Sequence, residues 1–234
     1  RTVMSTELVH RVVGEAYDAG IRTISFYSGG EPFLNRQLGA YVRRAKETGF
    51  DYVYLSTNGG RAVTPRLGEV LDAGLDSLKF SINAGTRETY SQVHGLDEFD
   101  KVMRNLEFCA EHRARTGGLQ KLFVSFVETA LNRATLAPLR ERVAALVDEV
   151  VVYPFVVIGT PLDQRLAAQR GRPVIDYDDT DKTEEWNEKR LKLPCYQLWS
   201  YLNVTVEGYL SACCSDYNDD LVVGNLHHNS LLEA

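Results

Sequence analysis

Leu8, Val9, Val12, Val13 and Ala16 recur at helical spacing, and Gly20 closes that run. Arg22–Ser28 is a short stretch of β-branched and aromatic residues and reads as a strand. Leu38, Tyr41, Val42 and Ala45 mark one face of a second helix, which Gly49 stops. Tyr52–Ser56 is the next strand, and Pro65–Ala73 the next helix, with Thr64 as its expected N-cap. Ser77–Ile82 is a strand, and Phe99, Val102, Met103, Leu106 and Cys109 mark a longer helix. Lys121–Val127, Leu136–Val147 and Glu149–Val157 then read as strand, helix and strand. Strands separated by helices of this length predict βαβ units and a parallel sheet of five strands.

The pattern changes after Pro161. Arg165–Pro194 is polar, charged and aperiodic, with Asp176, Asp178, Asp179 and Asp181 in it, and reads as a linker or loop region. Leu202–Val206, a Glu207-Gly208 turn and Tyr209–Cys213 then predict a β-hairpin. Residues 1–160, 161–194 and 195–234 are therefore the expected barrel-like domain, linker and second small domain. The chain opens on Arg1, and Leu231–Ala234 reads as the start of another helix. Both ends are expected to be internal to a longer protein.

Composition narrows the function. With 44% hydrophobic and 25% charged residues, the 234-residue chain is ordinary for a protein with a sizeable core. A formal net charge of -6 points away from a nucleic-acid backbone as main partner. No apolar run is long enough to span a bilayer and no signal-peptide pattern opens the chain, so a cytoplasmic protein with no membrane partner is expected. Of four cysteines, Cys109 lies in register with Val102 and Leu106 and reads as a core thiol. Cys195, Cys213 and Cys214 cluster near the C-terminus, where metal binding or thiol chemistry is a better reading than a disulfide framework.

In parallel β/α folds, ligands bind beyond the C-terminal ends of the strands. Here those ends carry Ser28-Gly29-Gly30-Glu31-Pro32, Ser56-Thr57-Asn58-Gly59-Gly60, Ser81-Ile82-Asn83-Ala84-Gly85, and Glu128, Thr129 and Asn132. Taken singly, each fits turn capping by short polar side chains or an ordinary strand-to-helix turn.

Taken in order, they resemble the strand ends of the radical S-adenosylmethionine (SAM) superfamily. Gly29-Gly30-Glu31-Pro32 resembles that family's GGEP motif, which presents backbone groups and a carboxylate to the amino group of SAM. Glycines let the main chain approach a ligand, and a carboxylate is a charge-assisted acceptor for an ammonium. Ser56 and Asn58 resemble the polar residues of the next strand end. Ser81 and Asn83 resemble the Ser-x-Asp segment that approaches the SAM carboxylate and ribose, followed by the usual Tyr90 and Gly95. Asn83 stands where Asp is usual, so a ribose would meet an amide. His94 stands where many relatives carry Arg, which implies a weaker, pH-dependent contact to the SAM carboxylate.

The family's catalytic [4Fe–4S] cluster is held by a Cys-x3-Cys-x2-Cys loop, and this sequence contains none. The loop is expected just upstream of Arg1. The resemblance thus implies an α/β fold: a partial (β/α)6-type barrel without its first strand, then a small Cys-rich domain containing a β-hairpin.

Cys195, twelve residues, Gly208, four residues and Cys213 resemble the opening of SPASM and twitch domains, which hold auxiliary iron–sulfur clusters. Gly208 permits the turn, and the returning strand brings Cys213 back toward Cys195. Thiolates are soft ligands suited to such clusters. Without the resemblance, the two also fit core cysteines or zinc ligands. Cys214 points the other way by strand alternation. It fits a further metal ligand, a packed thiol, or a hydrogen-atom donor of the kind some radical SAM epimerases use. His227 and His228 read as a solvated turn.

The implied activity is reductive cleavage of SAM to a 5′-deoxyadenosyl radical, which removes a hydrogen atom from a substrate. An external flavodoxin- or ferredoxin-like donor would supply the electron. The substrate is expected to be small, polar or sugar-like, with dehydrogenation or epimerisation as outcome, or else a peptide. The competing readings are a non-radical β/α-barrel lyase and a cluster-less binding or scaffold protein.

Overall fold

The computed structural model describes residues 3–155, 195, 197–214, 216 and 219–233. Helix α1 (Thr6–Asp18) starts at Ser5, whose side chain accepts from the Leu8 N–H, and buries Leu8, Val9, Val13 and Ala16. Strand β1 (Thr23–Ser25) is shorter than the predicted Arg22–Ser28, because Phe26 onward leaves the ladder to enter the glycine-rich loop. Helix α2 (Leu38–Thr48) ends at Gly49, whose φ of 112° is a left-handed conformation suited to glycine. Strand β2 (Tyr52–Thr57) follows, then helix α3 (Thr64–Asp72). Thr64 is the first helical residue of α3 rather than its cap. Val63 is the N-cap and makes no side-chain bond, while Pro65 sets the backbone of the first turn.

Strand β3 (Ser77–Ser81) leads to helix α4 (Arg87–His94), which the apolar pattern does not predict. Thr86 caps it by accepting from the Thr89 N–H, and Gly95 ends it. Helix α5 (Phe99–Thr116), strand β4 (Lys121–Glu128), helix α6 (Leu136–Val143) and strand β5 (Glu149–Pro154) complete this part. α6 stops four residues short of the predicted end, because residues 144–146 form a turn. The predicted end of β5 at Val157 and the whole of 161–194 lie outside the described residues.

The five strands pair in sequence order, and every pairing is parallel. Right-handed crossovers in such an order put all the helices on one face. Strand alternation shows that face: Val53 and Leu55, Leu78 and Phe80, and Leu122, Val124 and Phe126 are buried with Val42, Leu67, Val102 and Leu106 of the helices. The opposite face carries Tyr52, Tyr54 and Ser56, then Ser77, Lys79 and Ser81, then Phe123 and Ser125. Asp76 pins the strand beginnings. Its carboxylate accepts from the Val53 N–H at 2.8 Å, from Lys46 at 2.8 Å and from Gln120 at 2.8 Å.

The C-terminal part is a three-stranded antiparallel sheet: β6 (Asn203–Val204), β7 (Tyr209–Ser211) and β8 (Val222–Asn225). The predicted hairpin is β6–β7, and β8 adds a third strand on the far side of β7. This sheet docks on α1. Arg11 donates to the carbonyls of Leu226 and Asn229, and Glu15 accepts from the Leu231 N–H at 2.7 Å. Leu231–Glu233, expected as a helix, form a turn. The observed architecture is thus a five-stranded parallel sheet with helices, followed by a small antiparallel sheet.

Candidate functional site

A cleft of about 390 Å³ opens at the C-terminal ends of the first three strands. Residues Tyr27–Glu31, Ser56–Asn58 and Ser81 line it. The volume lies in the range of about 300–1,000 Å³ usual for small-molecule and cofactor sites. Of the eight cofactor-binding residues expected from sequence, Gly29, Gly30, Glu31, Ser56, Asn58 and Ser81 meet here.

Glu31 organises the rim. Its Oε1 accepts from the Phe33 N–H at 3.1 Å and from the Thr57 hydroxyl at 2.7 Å, and its Oε2 accepts from the Asn58 N–H at 2.8 Å. The carboxylate therefore ties the glycine-rich loop to the end of β2. With about four acceptor sites on a carboxylate, room remains for one further donor. Thr57, which strand alternation turns away from Ser56, is buried and passes the network on by accepting from the Gly59 N–H at 2.9 Å. Asn58 Oδ1 accepts from the Gly60 N–H at 2.9 Å, which closes a local turn.

Gly30 is open. A Cβ there would meet nothing within 4 Å, and its φ is not left-handed. The protein itself does not require glycine at this position, so the bare backbone faces space a ligand would fill. Ser81 continues the polar floor: its Oγ lies 3.4 Å from Ser56 Oγ and accepts from Ser125 Oγ at 3.2 Å.

Asn83 and His94 stand outside the cleft lining. Asn83 has a φ of 57°, a conformation Asn tolerates well. Its Oδ1 accepts from the Val127 N–H at 2.8 Å, which joins the end of β3 to β4. No buried side-chain atom among the described residues lacks a partner, so the Asn83 amide nitrogen, which no described residue bonds, is accessible to solvent. His94 is turned inward. Its Nε2 donates to the Ile82 carbonyl at 2.8 Å, and its ring stacks on Tyr90 at 4.2 Å between centroids. Burial holds its pKa below the ordinary value, partly offset by the Ile82 bond and by Glu98. The ring is thereby fixed to the end of β3.

Ser28, the first residue of the strand-end motif, lines the cleft, and so does Tyr27, which precedes that motif and carries no sequence signal of its own. Tyr27 meets Tyr54 edge-on at 5.8 Å. Burial above all, then Tyr54 and other neighbours, push its phenol up to about 12, so it stays protonated.

In the C-terminal part, Cys195, Cys213 and Cys214 are at least partly exposed, Cys109 is buried, and no disulfide joins them. The Leu198 N–H donates to the Cys195 carbonyl at 3.2 Å, and the Cys214 thiol donates to Gln197 Oε1 at 2.9 Å. The helical turn Gln197–Ser200 thereby joins the Cys195 segment to the end of β7. Among the described residues no group of three or more His, Cys, Asp or Glu side chains is placed to hold a metal ion. The three cysteines form at most part of a ligand set. His227 and His228 lie in an exposed turn, as expected, and the His227 ring Nε2 donates to the Glu207 carbonyl at 2.9 Å.

A parallel sheet with a Gly-rich polar cleft at its C-terminal rim defines an α/β protein built to take a small cofactor or substrate there. A family model described as the radical SAM superfamily matches residues 1–124, and one described as an iron–sulfur cluster-binding SPASM domain matches residues 195–234. The chain belongs to the radical SAM superfamily and carries a C-terminal SPASM domain. It is 32% identical over 125 residues to a probable GTP 3′,8-cyclase of Metallosphaera sedula, covering 53% of this chain and 36% of that protein. It is 32% identical over 132 residues to another from Saccharolobus solfataricus, covering 56% of this chain and 40% of that one. The chain spans less than half the length of these curated relatives.

Among solved structures, anSMEcpe with bound AdoMet is similar over 98% of this chain and 71% of its own, with 16% identity and a TM-score of 0.62. Streptococcus suis SuiB bound to the precursor peptide SuiA is similar over 99% of this chain and 58% of its own, with 14% identity and a TM-score of 0.68. No helix among the described residues is long and apolar enough to cross a membrane.

Proposed function

We propose that this protein binds SAM in the Glu31 cleft and uses it to take a hydrogen atom from a small polar substrate. The observation that carries this reading is the convergence of Gly30, Glu31, Ser56 and Ser81 on one cavity, with an open glycine and a carboxylate that retains acceptor capacity. SAM beside a reduced iron–sulfur cluster supplies a carbon radical strong enough to abstract hydrogen. Glu31 accepts from the methionyl ammonium, while the Gly29-Gly30 backbone lets that end of the molecule approach. Ser56, Asn58, Ser81 and the free amide nitrogen of Asn83 supply neutral hydrogen bonds to the ribose and carboxylate. His94 acts through the Ile82 carbonyl and is a positioning residue.

The 234 residues contain no Cys-x3-Cys-x2-Cys loop, so no step is assigned to a catalytic cluster held by them. Cys195 and Cys213 each contribute one ligand to an auxiliary cluster, with Cys214 beside them. A flavodoxin- or ferredoxin-like donor supplies the electron. The relatives named as GTP cyclases favour a small polar substrate over a peptide. The domain division at residues 160 and 195 belongs to the same reading.

The test is anaerobic incubation of the full protein with SAM and dithionite, read by mass spectrometry. Formation of 5′-deoxyadenosine and methionine is expected. An iron-loaded preparation that binds SAM and forms neither product overturns the radical reading in favour of a binding or scaffold protein. A colourless, iron-free protein that turns over without SAM favours a non-radical lyase.

A further inference from the structure

The face of the sheet opposite the helices holds a cation that the SAM-binding residues do not use. Lys79 sits on β3 two residues before Ser81 and in register with Ser56 on β2, and these two neighbours on that face line the cleft. Its ammonium reaches across to β5 and lies 5.4 Å from the centre of the Tyr153 ring. Lys79 is half-buried, and no carboxylate among the described residues pairs with it. Burial holds its pKa below the ordinary lysine value, with no opposing charge raising it. Tyr27 stands beside Tyr54, and both Tyr54 and Tyr153 act electrostatically on its hydroxyl. The floor next to the SAM cleft thus combines one lysine with phenols.

A lysine can usually extend its stem and keep its head in water. Holding the ammonium partly desolvated with the Tyr153 ring but no described carboxylate beside it is costly, and an incoming anion offsets that cost. Phenol hydroxyls add donors to the same anion. We propose that Lys79, with Tyr27 and Tyr153, forms a subsite for an oxyanion of the substrate, a carboxylate or a phosphate, directly beside the SAM cleft. The inference rests on the cleft being the SAM site and adds the charge of the substrate to that reading. A cationic substrate would meet the Lys79 charge and is rejected.

The test uses the full protein labelled with 13Cε-lysine and saturated with SAM, the Lys79 resonance being assigned by its loss in Lys79→Met. Succinate and inorganic phosphate are titrated as anion probes, with succinamide and putrescine as neutral and cationic counterparts. Both anions are expected to shift the Lys79 resonance saturably, succinamide and putrescine to leave it in place, and Lys79→Met to lower anion affinity by about ten-fold or more. Lys79→Arg, which keeps the charge, should keep anion binding. A Lys79 resonance unmoved by both anions, equal binding of succinamide, or binding of the anions only when SAM is left out, overturns the subsite. SAM affinity is measured in the same samples by equilibrium dialysis. Wild-type protein that fails to bind SAM overturns the cleft assignment instead, and the anion titration is still read without SAM.

Discussion

The Thr57 hydroxyl donates to Glu31 Oε1 at 2.7 Å and accepts from the Gly59 N–H at 2.9 Å, so one buried side chain fixes both loops of the cleft. Thr57→Val keeps the shape and removes both bonds. It leaves the Gly59 N–H without its acceptor, and a loss of about 1–3 kcal/mol in urea unfolding is expected. Glu31→Gln is no milder. In either amide orientation its NH₂ faces a backbone N–H, of Asn58 or of Phe33. Both variants should weaken SAM binding in equilibrium dialysis, and Glu31→Gln the more, because it also loses the charge.

Gly30 and Gly85 separate a glycine kept for a ligand from one kept for the fold. Gly30→Ala places a methyl in open space, so its melting temperature should match wild type while SAM affinity falls by about ten-fold. At Gly85 a Cβ would lie 1.9 Å from the Thr135 carbonyl oxygen. Gly85→Ala should lose on the order of 3 kcal/mol or fail to fold. Unchanged SAM affinity in Gly30→Ala would remove the backbone-approach argument.

His94 makes stability depend on pH. Burial lowers its folded-state pKa below the unfolded value near 6.5. Between those two values the unfolded chain binds the extra proton, so the stabilisation is present above about pH 6.5 and is lost as pH falls through the folded pKa. Urea unfolding at about pH 7.5 and about pH 5.5 should show a larger drop for wild type than for His94→Gln. Equal drops would place the pH dependence elsewhere.

Iron content tests the cysteines. In anaerobically purified full protein, Cys195→Ala and Cys213→Ala should each lower iron and sulfide per chain. Cys109→Ala should retain both and lose roughly 1 kcal/mol of stability, since Cys109 is a buried core thiol whose pKa burial pushes up to about 12. Wild-type iron in both ligand variants would return Cys195 and Cys213 to the status of packed thiols. Cys214→Ala with full turnover would rule out a hydrogen-donor role for Cys214.

What the sequence revealed depended on how strongly each segment is patterned. α1, α2 and α5 bury continuous apolar faces, and their repeats announce them. α4 buries only Thr89 and Tyr90, so its evidence was the Thr86 cap and Gly95 rather than any apolar stripe. β8 lies at the edge of its sheet and is half Gly and Asn, which carries little strand signal. Six cleft residues were readable because they sit in contiguous motifs. Asn83 and His94 belong to the same motif pattern, yet the side-chain directions that turn them to Val127 and Ile82 depend on neighbours far along the chain. Lys79 lies inside β3, where nothing local marks a polar residue as functional.

The clasp of Arg11 and Glu15 on the segment around Leu226–Leu231 joins residues about 215 positions apart. At about 5–20 residues per second, a ribosome completes the second half of that clasp roughly 10–40 seconds after α1 has emerged. The SPASM sheet therefore docks onto α1 only after the parallel sheet between them has been synthesised.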